Sequence, residues 1–229
     1  FTGLGRVLLS MSHALVLLLP LLALSATAQV VNRAQDDGTL ELLFSHPVTR
    51  EEYFVGVTLV RYGVLLAPFV LLMVLVTMVG WLGLGSAPAW GFLGRGLVVC
   101  SALIWAFTGC GLAVSTFVRN QAKAVMILLG IWVASVALLD FLLIGVMLQW
   151  RLNPQSVFLL AALNPVEAAR LALLSAAEPT LTVLGPVGFY LAHRVGAPAL
   201  LLVGTLWPAL LGTAGWWLAL RRFRRQDLA

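Results

Sequence analysis

The chain has 229 residues and a formal net charge of +5; 61% of it is hydrophobic, 10% is charged, and the mean hydropathy is +1.01. Soluble globular domains run about 45–50% apolar and about 25% charged, so this composition excludes a water-soluble fold and places the chain in a membrane. No basic surface interleaved with aromatics is present, which excludes nucleic-acid binding.

Five stretches hold the roughly 20 apolar residues that a membrane-spanning helix needs. They lie near residues 7–28, 57–81, 93–117, 124–148 and 197–220. Two-residue alternation is lacking, so a β-barrel is excluded. The predicted fold class is all-α, a polytopic membrane helix bundle forming one transmembrane domain over 1–229. Residues 32–56 form a segment on one side, and residues 149–196 form a helical segment on the other.

Charge fixes the sides. With 32–56 inside, Arg33, Arg50, Arg119, Lys123, Arg221, Arg222, Arg224 and Arg225 are inside, against Arg6, Arg95, Arg151, Arg170 and Arg194 outside. The run RRFRR directly after the last span sets the sign most firmly, because basic residues hold cytoplasmic loops in place. Arg61 lies within a span, close enough to its inner end to snorkel. This orientation puts the first residue, a Phe, outside. It predicts a preceding helix, hence six spans in the full-length protein. A signal peptide is the rival reading for 7–28, but the FTGLGR stretch ahead of it is a poor n-region and the apolar run is too long.

The inner segment carries Asp36, Asp37, Glu41, Glu51 and Glu52, five of the nine acidic residues. Gly38 permits a sharp turn. Leu40, Leu43 and Phe44 recur on one face of a short helix, and Pro47 stops it. Thr49-Arg50-Glu51-Glu52 reads as a capping box that opens the next helix. A short amphipathic helix between two spans is a docking element whose apolar face can enter a groove on a soluble partner, with the carboxylates at the rim. The competing reading is a loop lying on the membrane, which anionic headgroups would oppose.

On the outer side, Asn164-Pro165-Val166-Glu167 is a helix start, with Asn as N-cap, Pro first and Glu in the first turn. Asn153-Pro154 repeats it. Two short helices near 154–162 and 165–177 are predicted, apolar enough to lie on the membrane or dip into it. Asp140 sits deep in span 124–148, where a carboxylate costs roughly 2.5–3.5 kcal/mol on insertion scales. It reads either as part of a substrate path or gate, or as a hydrogen-bonding group that holds helices together.

Chemistry-bearing motifs are few. The sequence has no G-x-x-x-x-G-K-[ST], so ATP hydrolysis would belong to another chain. His13, His46 and His193 are far apart, and Cys100 and Cys110 are about 15 Å apart on one helix, too far for a disulfide. Met73, Met78, Met126 and Met147 with those cysteines invite a Cu(I) path, but Met in apolar helices is usually packing. The chain is not read as an enzyme by itself, and no metal site or cofactor is assigned to it.

The pattern DDGTLELLFSHPVTREEYFVG resembles the cytoplasmic loop of ABC-2-type permeases. The likeness rests on Asp37, Gly38, Thr39, Leu40, Glu41, Leu42, Leu43, Pro47, Val48, Thr49, Arg50 and Gly56; Val57 stands where that family often has Lys. The resemblance implies an ATPase-coupling role for Asp37, Gly38, Thr39, Leu40, Glu41, Leu43, Phe44, Pro47 and Arg50. It also implies a separate ABC ATPase subunit carrying ATP and Mg, a second copy of the permease, and a multi-pass position in a bacterial or archaeal inner membrane among its lipids. ALNPVEAARLALLS, residues 162–175, is similar to a motif of NosY-type permeases, which serve copper-centre maturation in nitrous oxide reductase. It implies an outer gate or platform at Asn164, Pro165, Glu167 and Arg170 and a periplasmic copper-handling partner, with sulfur export or mechanical driving of that partner as the task. A general ABC-2 exporter of lipid, drug or polysaccharide and a non-transporting scaffold remain as alternatives.

Overall fold

A computed structural model describes residues 3–84, 90–138, 141, 154–178, 180–181 and 184–225. All regular structure among them is helical. The helices are α1 (Gly3–Thr27), α2 (Val30–Asp36), α3 (Thr39–Phe44), α4 (Arg50–Leu84), α5 (Trp90–Phe117), α6 (Gln121–Val133), α7 (Pro154–Leu163), α8 (Pro165–Ala177), α9 (Gly185–Tyr190) and α10 (Ala197–Arg225). α6 continues as a π-helical turn over Ala134–Leu138. Among the described residues four helices are long and apolar enough to cross a membrane, α1 with its continuation, α4, α5 and α10, and the bent pair α7–α8 makes a fifth if it counts as one span. The described part of the expected span 124–148 is α6 with its π turn and the exposed Phe141; the rest lies outside the described residues.

α5 is the hub, packed against α10, α1, α8 and α4. Its contact with α10 is close because the backbones nearly touch. A Cβ added at Gly109 would fall 2.1 Å from the Gly212 carbonyl oxygen. In lipid, where apolar contact alone gives helices little reason to associate, such small-residue approaches supply the packing.

Polar links complete the bundle. Four indole N–H groups each reach across to a neighbouring element: Trp105 to Thr213 Oγ1 (3.1 Å), Trp132 to the Leu17 carbonyl (3.1 Å), Trp207 to the Leu163 carbonyl (3.0 Å) and Trp216 to Thr58 Oγ1 (3.1 Å). Trp suits this work, being an apolar body with one donor that seeks a partner when water is scarce.

The last helix continues past the expected span end near 220 to Arg225, and Phe223 inside the basic run is fully buried. The run is therefore a packing element as well as a charge anchor. The outer helices match their predicted bounds to within one residue; α7 keeps an exposed face at Leu159, Leu160 and Leu163, whereas α8 is covered. α8 is buried from Val166 to Ser175 apart from Arg170, and it packs against α10, α5 and α1. Gly204 of α10 leaves room for it, since a Cβ there would sit 2.5 Å from the Ala172 Cβ. α7 and α8 meet at a bend of 117°.

Candidate functional site

The inner end of the bundle gathers the segment predicted to couple. After α1, the chain breaks at Ala28–Gln29 and α2 begins. There the Val31 N–H donates to Ser115 Oγ (3.0 Å), the Ser115 hydroxyl donates to Asn32 Oδ1 (3.1 Å), and Asn32 Nδ2 donates to the Val118 carbonyl (2.5 Å). Asn32 and Ser115 are both almost fully buried. Asn32 thus closes the C-terminal end of α5, whose last carbonyls lack helical partners. At the other end of α2, Gln121 Nε2 donates to Asp36 Oδ2 (2.7 Å). The α5–α6 corner is held at both ends of α2.

Gly38 then turns the chain with φ +67°, a left-handed conformation that glycine adopts at low cost. α3 follows. Leu40 is buried with Val31, Phe54, Leu112, Ala219, Leu220 and Phe223. Phe44 meets Tyr53 edge to face at 6.2 Å, and Tyr53 stacks on Phe223 at 6.0 Å. The face expected to enter a partner's groove is therefore turned largely into this chain's own bundle. Leu43 lines a cleft beside α4. The outward surface is Glu41, Leu42, Ser45 and His46, with Leu42 72% exposed.

The capping box forms as predicted. The Thr49 N–H donates to Glu52 Oε2 (2.9 Å) and the Glu52 N–H donates to Thr49 Oγ1 (3.2 Å). Pro47 lies in the exposed link before it. Arg50 opens α4, with Nη1 donating to the Arg224 carbonyl (3.2 Å), while Arg224 Nη2 pairs with Glu51 (2.7 Å). Asp37 caps α2 and pairs with Arg33 at 3.5 Å. Four of the five acids thus have partners within the chain: Asp36 with Gln121, Asp37 with Arg33, Glu51 with Arg224, Glu52 with Thr49. Thr39 begins α3 and lines the same cleft as Leu43.

The second predicted site is the α7–α8 elbow. Asn164 does two things there. Its Oδ1 accepts from the Val166 N–H (3.0 Å), the predicted N-cap, with Pro165 first in the helix. Its Nδ2 donates to the Ser135 carbonyl (2.6 Å), in the π turn that continues α6. π turns are rare and often sit at functional positions. Glu167 pairs with Arg170 at 2.7 Å, largely buried. Trp207, whose indole holds the Leu163 carbonyl, lies ten residues into α10, so the elbow reaches about 15 Å below the outer end of that helix. The α7–α8 pair forms a helical hairpin, bent by 117°, whose elbow lies against the middle of α10.

Asp140 lies outside the described residues. Met147 lies outside them too, and among the described sulfur residues Cys100 and Met73 are packed in the core, whereas Met78 and Met126 are exposed. Among the described residues no His, Cys, Asp and Glu cluster able to hold a metal occurs. Sequence reasoning missed Phe223, Asn32, Ser115 and the Asn164–Ser135 link. Only Phe223 left a signal, an aromatic interrupting a basic run.

Residues 6–228 match the family model described as "ABC-2 family transporter protein". The chain is also 28% identical over 223 residues to the "Probable ABC transporter permease protein NosY" of Stutzerimonas stutzeri, covering 94% of this chain and 78% of that protein.

Proposed function

Because the chain belongs to the ABC-2 transporter family and so forms the membrane-spanning component of an ABC transporter, whose partner is an ABC ATPase, we propose that it converts ATPase motion into movement of the α7–α8 hairpin. The observation that carries this reading is the chain of contacts from α3 to Asn164. An ATPase would meet the Glu41–Leu42 edge of α3. Leu40 anchors α3 in the aromatic cluster, and Asn32 and Asp36 tie the adjoining α2 to the α5–α6 corner. From Gln121 to Ser135, α6 spans about 21 Å. Its far end holds the hairpin through Asn164. Displacement of the inner segment would thus reach the outer elbow along one rigid helix.

For the coupling role of Asp37, Gly38, Thr39, Leu40, Leu43, Phe44, Pro47 and Arg50, the supporting feature is their packing. They form and seat the segment, while Glu41 and Leu42 face outward. The carry-over to nitrous oxide reductase copper-centre maturation rests on the likeness to the NosY permease and on the NPVEAARL stretch. In that reading the hairpin, with Asn164, Pro165, Glu167 and Arg170, is the outer gate or platform, working as a dimer with its ATPase. Its task is export of a sulfur species or mechanical driving of a periplasmic partner. The test is complementation of a denitrifying strain that lacks its own NosY permease, with the full-length gene introduced alongside its cognate ATPase. Restored nitrous oxide reduction is the expected result. Transporter assembly with no restoration would assign the protein to another ABC-2 export task.

A further inference from the structure

A cleft of about 810 Å³ opens at the inner end between the α1–α2 junction and the first turns of α4. Gln29 and Arg33 line one wall, Val57, Val60 and Arg61 line the other, and Thr39 and Leu43 of α3 reach its edge. Its size is that of a small-molecule site.

The charges in it are unevenly committed. Arg33 faces Asp37, and Glu52 is occupied by the Thr49 cap. Arg61 has no carboxylate partner among the described residues. It follows eight mostly apolar residues, Tyr53 to Val60, and so stands about 12 Å along α4 from the Tyr53 end of the cleft. A guanidinium at that depth needs water or an anion, and its planar fork matches a phosphate group better than an ammonium does. The Gln29 amide lines the opposite wall and supplies a neutral donor.

We propose that this cleft holds the phosphate headgroup of an anionic phospholipid from the inner leaflet, with Arg61 as its principal contact and its tail along the exposed apolar face of α4 at Val60 and Val64. The direction of approach selects the source. A soluble anion would enter past Asp36, Asp37, Glu41, Glu51 and Glu52, which repel it. A lipid enters laterally, from the side of α4, and of these acids meets only Asp37 and Glu52, which line the cleft but are engaged by Arg33 and the Thr49 cap. Because Thr39 and Leu43 border the site, an occupied cleft would brace α3 from beneath; this consequence rests on the coupling role proposed above, whereas the binding itself does not.

The test uses the full-length permease in complex with its ATPase, purified in mild detergent from membranes containing phosphatidylglycerol. Native mass spectrometry reads the retained lipid. The wild type and Arg61→Lys keep phosphatidylglycerol, and Arg61→Gln retains about ten-fold less, the loss expected for one charge-assisted contact. Arg119→Gln, at the exposed α5–α6 corner, retains it as the wild type does. A second measurement does not depend on the variant folding: adding phosphatidylglycerol to the wild-type complex in phosphatidylcholine nanodiscs raises its unfolding midpoint. Unchanged retention in Arg61→Gln overturns the proposal, as does a wild-type complex that retains no anionic lipid, which would mean that protein closes the cleft. Equal stabilisation by inorganic phosphate alone would assign the site to soluble anions and overturn the lipid source.

Discussion

The two ends of the bundle are built differently. The inner end is cross-linked: an aromatic cluster around Phe223, the Val31–Ser115–Asn32–Val118 hydrogen bonds, the Asp36–Gln121 contact and the Glu51–Arg224 pair join α2, α3, α4, α5, α6 and α10. The outer hairpin is seated by apolar burial instead: Val166, Leu171, Leu173 and Leu174 lie in the core and Ala168 and Ala172 meet Gly204, with two hydrogen bonds to other helices at its elbow, from Trp207 and from Asn164. An end tied through many side chains moves as a unit. An end seated by apolar contact, with few polar cross-links, can shift as a body on its support. On the function proposed above, the first end receives force and the second is displaced.

The comparison breaks most sharply at Phe223. Truncation to Ala empties the centre of the inner cluster and is expected to cost about 3–5 kcal/mol, the range for a buried large aromatic. A lowered unfolding midpoint and poor recovery of the complex would report it. Next comes the outward edge of α3. Leu42→Asp puts a charge on the most exposed apolar residue there and should weaken ATPase capture about ten-fold or more without lowering the unfolding midpoint. Leu40→Asp would instead unfold the inner end, which separates the two faces. The buried link at α2 ranks third: Asn32→Ala leaves the Ser115 hydroxyl and the Val118 carbonyl short of a partner, about 1–3 kcal/mol. ATP turnover should persist in this variant while transport or maturation falls. The smallest effect is Thr49→Ala, which removes half the capping box and should cost about 1 kcal/mol, seen as a modest drop in midpoint.

Much of this architecture is visible in the sequence because lipid permits so few options. Long apolar runs must be helices, since the backbone has no other way to satisfy its hydrogen bonds in hydrocarbon. Caps are equally local: Thr49 with Glu52, and Asn164 with Pro165, act within four residues and were readable as such. What periodicity could not supply was direction. Leu40, Leu43 and Phe44 mark an apolar face, but the pattern is the same whether that face meets a partner or the chain's own Phe223, some 180 residues away. The same limit hid the acids' roles. Four of them meet partners in the chain, and for Asp36 and Glu51 those partners, Gln121 and Arg224, come from distant helices. The depth of the hairpin was also illegible, because it depends on the space beside Gly204, which is a property of another helix.

The central claim is that α6 carries motion from the inner end to the elbow through Asn164. Asn164→Ser isolates this link: serine still caps α8, but its short hydroxyl does not replace the donor to Ser135. With Cys100 and Cys110 replaced, spin labels at the exposed positions Leu159 of α7 and Leu202 of α10 report the hairpin's position. The account predicts that trapping the ATPase in its closed state changes the label-to-label distance in the wild type and leaves it unchanged in Asn164→Ser, with ATPase capture intact in both. The same distance change in both proteins would contradict it.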